Sequence, residues 1–173
     1  CQYHWRRSPA WAQASTALQA ELIRYVHQEV AVELARTVAL RAVLAALAQA
    51  GLPVLLIKGA ALAHTLYPQP YLRSRCDTDL LVPSREEAER VGRVLQTIGY
   101  QQPMSMYMSG DLVSYELGCY KTSPGGLTHA LDVHWRLANN TLFAERLTFP
   151  ELAAAAVALP ALGPHAQGLG LVH

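Results

Sequence analysis

The chain has 173 residues, of which 51% are hydrophobic and 16% are charged, and its formal net charge is +1. This length and composition suit a globular protein with one domain and a real core, or one domain and an extra helical element, and they argue against a disordered chain. The near-zero charge excludes a global field that would attract long nucleic acids or an anionic membrane, so neither is an expected partner and phosphate binding requires a local site.

Three cysteines are widely spaced, at Cys1, Cys76 and Cys119, and they form no Cys-x-x-Cys pair. This usage is typical of a reducing compartment, so we expect a cytoplasmic protein. No apolar run approaches the length of about 18 residues that a membrane span requires, and we expect no membrane association. Because the first residue is Cys rather than Met and the last residues are apolar, we also expect a fragment of a longer chain.

The N-terminal part of the chain is predicted to be helical. Ser8 and Pro9 suit a helix start, as N-cap and first helical residue. The residues from Ala10 to Ala50 contain no Pro or Gly, and apolar residues recur among them at helical spacing. We expect one long helix, or two in line, that ends at Gly51 and makes residues 1–50 an N-terminal helical segment.

Residues 51–149 are predicted to form the α/β core, which opens with a strand, a turn and a helix. Pro53–Ile57 is a short apolar run of β-favouring residues and predicts a buried strand. Lys58 and Gly59 follow, and a short helix is expected from Ala60. This arrangement presents backbone N–H groups to an anion, and the turn carries one of the chain's two lysines. Alternatively, Lys58 is a surface charge at a strand end and Gly59 is an ordinary turn residue.

A pair of carboxylates opens the next predicted strand. Asp77 and Asp79 lie two residues apart ahead of an apolar run, so a strand would place both on one face. Like charges this close repel each other and a cation between them relieves the repulsion, which makes a Mg²⁺ site the first hypothesis. The alternative is a pair of solvated residues at the entrance of the strand.

Two arginines precede this pair of carboxylates. Arg73 and Arg75 are placed to form an ion pair with Asp77 or to meet a phosphate group. For Arg75 we expect the ion pair with Asp77.

Downstream, a helix and a hairpin are predicted. Ser84 and Glu87 form a capping box that starts a helix with one apolar face, and Gly99 closes that helix. Two strands, from Val113 to Lys121 and from Leu127 to Arg136, flank a turn-forming cluster.

Side chains alternate clearly along the second strand of this hairpin. Leu131, Val133 and Trp135 face one way, whereas Asp132 and His134 face the other. Because an acid and an imidazole on a largely apolar strand need partners, we expect them either to hydrogen-bond each other or to supply a third carboxylate to the aspartate pair. The remaining histidines show no metal-ligand spacing and are interpreted as incidental: His4, His27, His64, His129, His165 and His173.

Residues 150–173 are predicted to begin a C-terminal helical region that is cut short. An Ala-rich helix is expected from Leu152 to Leu159, where Pro160 stops it. The glycines and prolines beyond it predict a loop that leads out of the sequence.

The order of these motifs resembles a known fold. It resembles the nucleotidyltransferase fold of the DNA polymerase beta superfamily and, more narrowly, a bacterial family of nucleotidyltransferases with a Lys-Gly turn. The resemblance covers roughly residues 30 to 160, and it implies an α+β fold in which helices flank a mixed β-sheet, with a long N-terminal helical segment. The motifs that carry it are Lys58-Gly59, Tyr67-Pro68, Arg73, Asp77-x-Asp79 and Leu131-Asp132-x-His134-Trp135.

The resemblance also implies an activity. A metal-dependent enzyme of this kind would move a nucleotidyl group from an NTP, with ATP the first candidate, to an unidentified hydroxyl acceptor. Two alternatives stay open: a catalytically silent module that binds a nucleotide or a protein, and a metal-dependent phosphoester hydrolase. The implied catalytic residues, which would also hold Mg²⁺ or Mn²⁺, are Asp77, Asp79 and Asp132, and the implied nucleotide-binding residues are Lys58, Gly59, Arg73 and His134.

Overall fold

The computed structural model describes residues 8–102, 115–137 and 147–170. The described part is an α+β fold in which helices flank a mixed sheet, as predicted. Predictions that fall outside these ranges concern Cys1, His4, Val113 and His173.

The described elements follow one another as helices and strands in mixed order. The helices are α1 (Ala10–Gln13), α2 (Thr16–Gln49), α3 (Lys58–Thr65), α4 (Arg85–Thr97) and α5 (Phe149–Ala154). The strands are β1 (Leu55–Ile57), β2 (Asp77–Leu81), β3 (Glu116–Thr122), β4 (Thr128–His134), β5 (Ala156–Ala158) and β6 (Gln167–Leu169), and short 3₁₀ turns cover Pro70–Leu72 and Pro160–Leu162.

The described N-terminal residues form the short helix α1 and the long helix α2. The break falls at Ser15, whose extended backbone and side chain cap α2: its Oγ accepts a hydrogen bond from the Leu18 N–H at 3.3 Å. The second half of α2 packs on the sheet with four apolar residues at helical spacing. These residues are Leu40, Val43, Leu44 and Leu47.

The described strands form one six-stranded sheet in the order β3-β4-β2-β1-β6-β5. Strand β2 pairs antiparallel with β1 on one side and parallel with β4 on the other. Strands β3 and β4 form the predicted hairpin, and β6 runs parallel to β1 and antiparallel to β5. The strand that carries the Asp-x-Asp pair is therefore in the interior of the sheet.

The two faces of the sheet have different surroundings. One face packs against α2 and α4 in the main hydrophobic core, to which the strands contribute Leu56, Leu80 and Leu131. The other face carries a smaller apolar group formed by Leu55, Ile57, Leu81 and Leu152 of α5. Because side chains alternate along a strand, the acids Asp77, Asp79 and Asp132 and the imidazole of His134 share this second face.

The C-terminal prediction is wrong in the described residues. The helix expected as far as Leu159 ends at Ala154, and the next residues form β5. The pairing of β5 with β6 therefore outweighs the helix propensity of the alanines. The predicted loop contains β6, in which Gly168 pairs with Leu56 of β1. A Cβ at Gly168 would lie 2.8 Å from Leu159 Cδ1, so the glycine permits this close packing. Both strands extend the sheet instead of starting a helical region.

The ion pair expected between Arg75 and Asp77 is also wrong. Arg75 is buried, and its Nη2 donates to Glu33 Oε1 of α2 at 2.7 Å. His64 joins them, with its Nε2 4.0 Å from the same oxygen. A carboxylate buried in a helix face requires a cation, and that requirement outweighs the short sequence distance to Asp77. This buried group ties α2 to the segment that precedes β2.

Candidate functional site

The predicted aspartates and His134 lie together on the second face of the sheet. Asp79 of β2 and Asp132 of β4 are direct neighbours across the parallel pair, and Leu81 is the neighbour of His134. Asp77 lies two residues before Asp79 and shares its face. The alternation of apolar and polar residues along β4 therefore has the phase that the sequence predicts.

Lys58 reaches this face from the junction of β1 and α3. Its Nζ donates to Asp79 Oδ1 at 2.6 Å and lies 3.2 Å from His134 Nε2. Strand β1 ends at Ile57 and α3 starts at the next residue, so the chain turns without a loop. The turn gives Lys58 a φ of 51°, and among the described residues no other non-glycine has a positive φ.

Asp79 is the most enclosed carboxylate of the group, with 4% of its surface exposed. It accepts the hydrogen bond from Lys58, and the imidazole Nε2 of His134 lies 2.9 Å from the same Oδ1. Burial alone would raise the pKa of the Asp79 carboxyl, but hydrogen bonds from His134 and Lys58 together with their charges outweigh it and leave the pKa lowered. Asp79 is therefore held ionised.

Glu116 is a further acid at the site that the sequence analysis did not identify. It lies opposite His134 in the β3–β4 hairpin, and its Oε2 is 3.4 Å from His134 Nδ1. The imidazole thus has a carboxylate on each side. The register of the β3–β4 hairpin is what could have identified Glu116 from the sequence. Thr122 pairs with Thr128 across the turn, and the same register places Glu116 opposite His134.

Asp132 lies in a region of accumulated negative charge. Burial raises the pKa of its carboxyl in the first place, and the neighbouring charges of Glu116 and Asp77 raise that pKa further. His134 acts in the opposite direction. Neither Asp132 nor Asp77 forms an ion pair with any residue that the structure describes, so the single ammonium of Lys58 serves Asp79 alone.

Gly59 and Arg73, the other residues predicted to bind the nucleotide, form no hydrogen bond or ion pair with the acids in the described ranges. Gly59 follows Lys58 in the first turn of α3, and a Cβ there would be 3.7 Å from Arg75 Cβ, an ordinary contact. Arg73 ends the first 3₁₀ turn, and its Nε is buried without a hydrogen-bond partner in the described ranges. Within the same ranges Arg73 forms no ion pair with the carboxylates, whereas Lys58 pairs with Asp79.

The donor types suit a hard cation, but their arrangement does not fit one. Carboxylate oxygens are the ligands that Mg²⁺ and Mn²⁺ prefer. In the parts of the chain that the structure describes, however, no group of three or more acidic, His or Cys side chains is placed to hold one metal ion. Lys58 already takes Oδ1 of Asp79.

Two of the histidines interpreted as incidental are buried in polar groups. His129 lies on the other face of the sheet, where its Nδ1 is 2.6 Å from the Tyr100 hydroxyl and its Nε2 is 3.3 Å from Thr78 Oγ1. Burial lowers the pKa of His129 to about 4. His64 is the second, beside Glu33. Both belong to the packing of the helices on the sheet and lie away from the acids.

Comparison with known families agrees with this arrangement. A family model described as an uncharacterised nucleotidyltransferase matches residues 1–172. The chain belongs to this nucleotidyltransferase family. The match confirms the resemblance and the fold, and it extends over the N-terminal helices and the C-terminal strands. A search of curated proteins gave no match. None of the helices that the structure describes is both long enough and apolar enough to cross a membrane.

Proposed function

We propose that this nucleotidyltransferase moves a nucleotidyl group from an NTP to a hydroxyl acceptor, with ATP as the first donor to test. The observation that carries the proposal is the pairing of Asp79 with Asp132 across β2 and β4, with Asp77 on the same face. In a chain that belongs to a nucleotidyltransferase family, three acids on one sheet face beside a Lys-Gly turn support a site that binds the phosphates of an NTP and transfers its nucleotidyl group.

The three aspartates are the carboxylates that would hold Mg²⁺ or Mn²⁺, although Lys58 takes one oxygen of Asp79 and the described side chains are not arranged around an ion. Asp77 and Asp132 have no cationic partner among the described residues, so their oxygens are available as ligands. Asp132 is proposed to accept the proton of an acceptor hydroxyl, because it is partly exposed whereas Asp79 is enclosed, and because burial and the neighbouring acids raise the pKa of its carboxyl.

The nucleotide would lie with its phosphates at the start of α3. Lys58 has a side chain that is 51% exposed, so its ammonium can meet a phosphate as a point charge. Gly59 adds no side chain to this turn, and the first N–H groups of a helix favour an anion. Arg73, with an unpartnered Nε in the described ranges, and His134 at the edge of the acids would complete the contacts.

A second candidate is a nucleotide-binding module without catalysis. The observation that favours it is the ion pair of Lys58 with Asp79, which occupies a carboxylate that metal binding requires. This module would bind an NTP through Lys58 and the turn without a divalent ion. Hydrolysis of a phosphoester is a third outcome, in which water replaces the acceptor.

The net charge bears on the class of acceptor, and the free cysteines bear on the cellular location. We expect a small molecule or a protein as acceptor, because the formal net charge of +1 provides no general attraction for long nucleic acids. We also propose a cytoplasmic location, which the free thiols of Cys76 and Cys119 support.

The experiment that tests the proposal is calorimetric titration with each NTP, in Mg²⁺ and in EDTA. The chain is compared with an Asp77→Asn/Asp79→Asn variant and with a matched control, Glu86→Gln/Glu89→Gln, which removes two exposed carboxylates from α4. Binding that requires both the metal and the aspartates, but not the control residues, would support the transferase. Metal-independent binding would favour the silent module, and the absence of binding would contradict the nucleotide site.

A product assay separates the two metal-dependent activities. With an NTP labelled on the α-phosphate, transfer moves the label to an added hydroxyl compound and releases pyrophosphate. Hydrolysis yields labelled nucleoside monophosphate without any acceptor, and that result would replace transfer as the proposed activity.

A further inference from the structure

A small cavity lies on the face of the sheet opposite the acids. Its volume is about 140 Å³, and it is bounded by the second half of α2, the end of α4 and the β3–β4 hairpin. The apolar part of its wall includes Ala39 of α2, Ile98 directly after α4 and Leu127 directly before β4. An apolar cavity of about 150 Å³ can hold a benzene ring, so this one has room for a single six-membered ring.

Another part of the wall is formed by the buried pair of Tyr100 and His129. The Tyr100 hydroxyl lies 2.6 Å from His129 Nδ1, and the other imidazole nitrogen lies 3.3 Å from Thr78 Oγ1, so the polar atoms of the pair have partners. Burial raises the pKa of Tyr100 to about 12 and lowers the pKa of His129 to about 4. This part of the wall is therefore aromatic and uncharged at neutral pH.

Two cations also line the cavity, and neither has a carboxylate partner among the described residues. Arg36 is half-buried and forms no ion pair or hydrogen bond within the described ranges. Lys121 donates one hydrogen bond to the Ile98 carbonyl at 2.7 Å, which leaves two of its three N–H groups for a ligand. No acidic side chain that the structure describes lines the cavity. A wall that is largely apolar is thus combined with uncompensated positive charge.

We propose that this cavity binds a small carboxylic acid with one apolar ring, the ring inside the cavity and the carboxylate held by Arg36 and Lys121. A planar guanidinium suits a carboxylate because it can donate two parallel hydrogen bonds. The cavity is too small for the base, sugar and phosphates of an NTP, so its ligand differs from that of the acid face. The inference goes beyond nucleotidyl transfer and does not depend on it.

Benzoate is the probe, followed by NMR chemical-shift titration of the natural chain. We expect saturable shifts at the residues that line the cavity, with a Kd of about 1 mM for a ligand this small. Benzyl alcohol has the same ring without the charge and should bind about tenfold more weakly, because it lacks the charged hydrogen bonds. Equal or tighter binding of benzyl alcohol, or no saturable shift with about 10 mM benzoate, would overturn the proposal.

A substitution that fills the cavity locates the bound ring. Ala39→Leu places a larger side chain in the wall of the cavity and should abolish benzoate binding. Ala20→Leu makes the same change at an exposed position of the same helix and should leave the affinity unchanged. Undiminished benzoate binding by the folded Ala39→Leu chain would place the ligand outside this cavity and contradict the proposal.

A second substitution tests the carboxylate contact and covers the case in which the leucine variant folds poorly. Arg36→Gln removes the guanidinium charge without adding bulk, so benzoate should bind about tenfold more weakly while benzyl alcohol binds as before. The matched control is Arg24→Gln, an exposed arginine of the same helix, which should change neither affinity. If Arg36→Gln weakens both ligands equally or neither of them, the guanidinium does not hold the carboxylate and the proposed ligand class is wrong.

Discussion

The ammonium of Lys58 and the carboxylate of Asp79 meet at 2.6 Å, although the two residues lie in different elements and 21 positions apart in the sequence. One belongs to the junction of β1 and α3, and the other to the interior strand β2. The antiparallel pair of β1 and β2 sets Ile57 beside Asp79, so the residue after Ile57 arrives at this carboxylate. The strand register and the abrupt turn together create the contact.

The left-handed backbone of Lys58 predicts different stabilities for two substitutions at that position. Lys58→Ala and Lys58→Gly both remove the ion pair with Asp79, but only glycine tolerates a φ of 51° without strain. We expect Lys58→Gly to be more stable than Lys58→Ala by about 1 kcal/mol in urea unfolding. Alanine equal to or better than glycine would show that the turn is not left-handed in solution.

A substitution at Gly59 is expected to affect NTP binding but not the stability of the fold. A Cβ at this position would meet Arg75 atoms at 3.7 and 3.8 Å, so Gly59→Ala should leave the free energy of unfolding nearly unchanged. If phosphates approach the backbone of this turn, the added methyl group should weaken NTP binding by about tenfold, measured by calorimetry. Gly125→Ala, in the exposed hairpin turn, is the matched control and should alter neither quantity. Unchanged affinity in Gly59→Ala would place the phosphates elsewhere.

Local signals in the sequence predicted much of the fold. As expected, Ser84 caps α4 by accepting a hydrogen bond from the Glu87 N–H. The alternation along β4 places Leu131 in the core on one face of the sheet and Asp132 on the opposite face, also as expected. Both patterns depend only on near neighbours in the sequence, which is why they are legible without a structure.

Contacts between distant elements were not predictable in the same way. The expected partner of Arg75 was Asp77, but the buried Glu33 of α2 takes it. Glu116 enters the candidate site only through the register of the hairpin, and the Ala-rich segment after Ala154 becomes a strand because β6 offers it a pairing edge. In each case the tertiary neighbour, which the local sequence does not encode, decides the outcome.

The buried pair of Glu33 and Arg75 should be important for stability. Both side chains are under 10% exposed, and Nε and Nη1 of Arg75 have no partner among the described residues. Arg75→Met would leave Glu33 charged and buried, so we expect a loss of about 3–5 kcal/mol in the free energy of unfolding. Arg85→Met breaks an exposed pair with Glu89 on α4 and should change stability by only about 0.5 kcal/mol. Similar effects of the two substitutions would contradict the buried pair.

Acid should destabilise the protein through His129. Burial, followed by the charges of Arg36 and Arg75, lowers the pKa of this imidazole to about 4, below its usual value of 6.5. Above pH 6.5 the folded and unfolded states are both neutral at this residue and stability does not depend on its titration. Between 6.5 and 4 the unfolded chain binds a proton that the folded chain does not, so stability falls as pH falls, by up to about 3 kcal/mol.

Unfolding by urea at several pH values measures this effect. His129→Gln keeps a hydrogen-bonding group near Tyr100 and Thr78 but has no proton to gain, so its stability should decline less steeply over the same range. Other groups that titrate there are common to both chains and cancel in the comparison. Parallel curves for the two chains would contradict a depressed pKa for His129.

Glu116 is expected to set the protonation of Asp132 from across the hairpin. After burial, the charge of Glu116 is the largest contribution that raises the pKa of the Asp132 carboxyl, and that of Asp77 comes next. Glu116→Gln removes this charge with little change in shape, so the pKa of Asp132 should fall, although burial should keep it above that of a free aspartate. The carboxyl carbon of Asp132, followed by NMR during an acid titration in EDTA, measures the shift.

Asp77→Asn is the matched comparison for this prediction, because it also deletes one negative charge near Asp132. It should lower the pKa of Asp132 by less than Glu116→Gln does, following the order of the two contributions. A larger effect of Asp77→Asn, or none from Glu116→Gln, would mean that Glu116 lies farther from the acids in solution than its 3.4 Å approach to His134 indicates. In that case the candidate site would consist of the three aspartates, Lys58 and His134 alone.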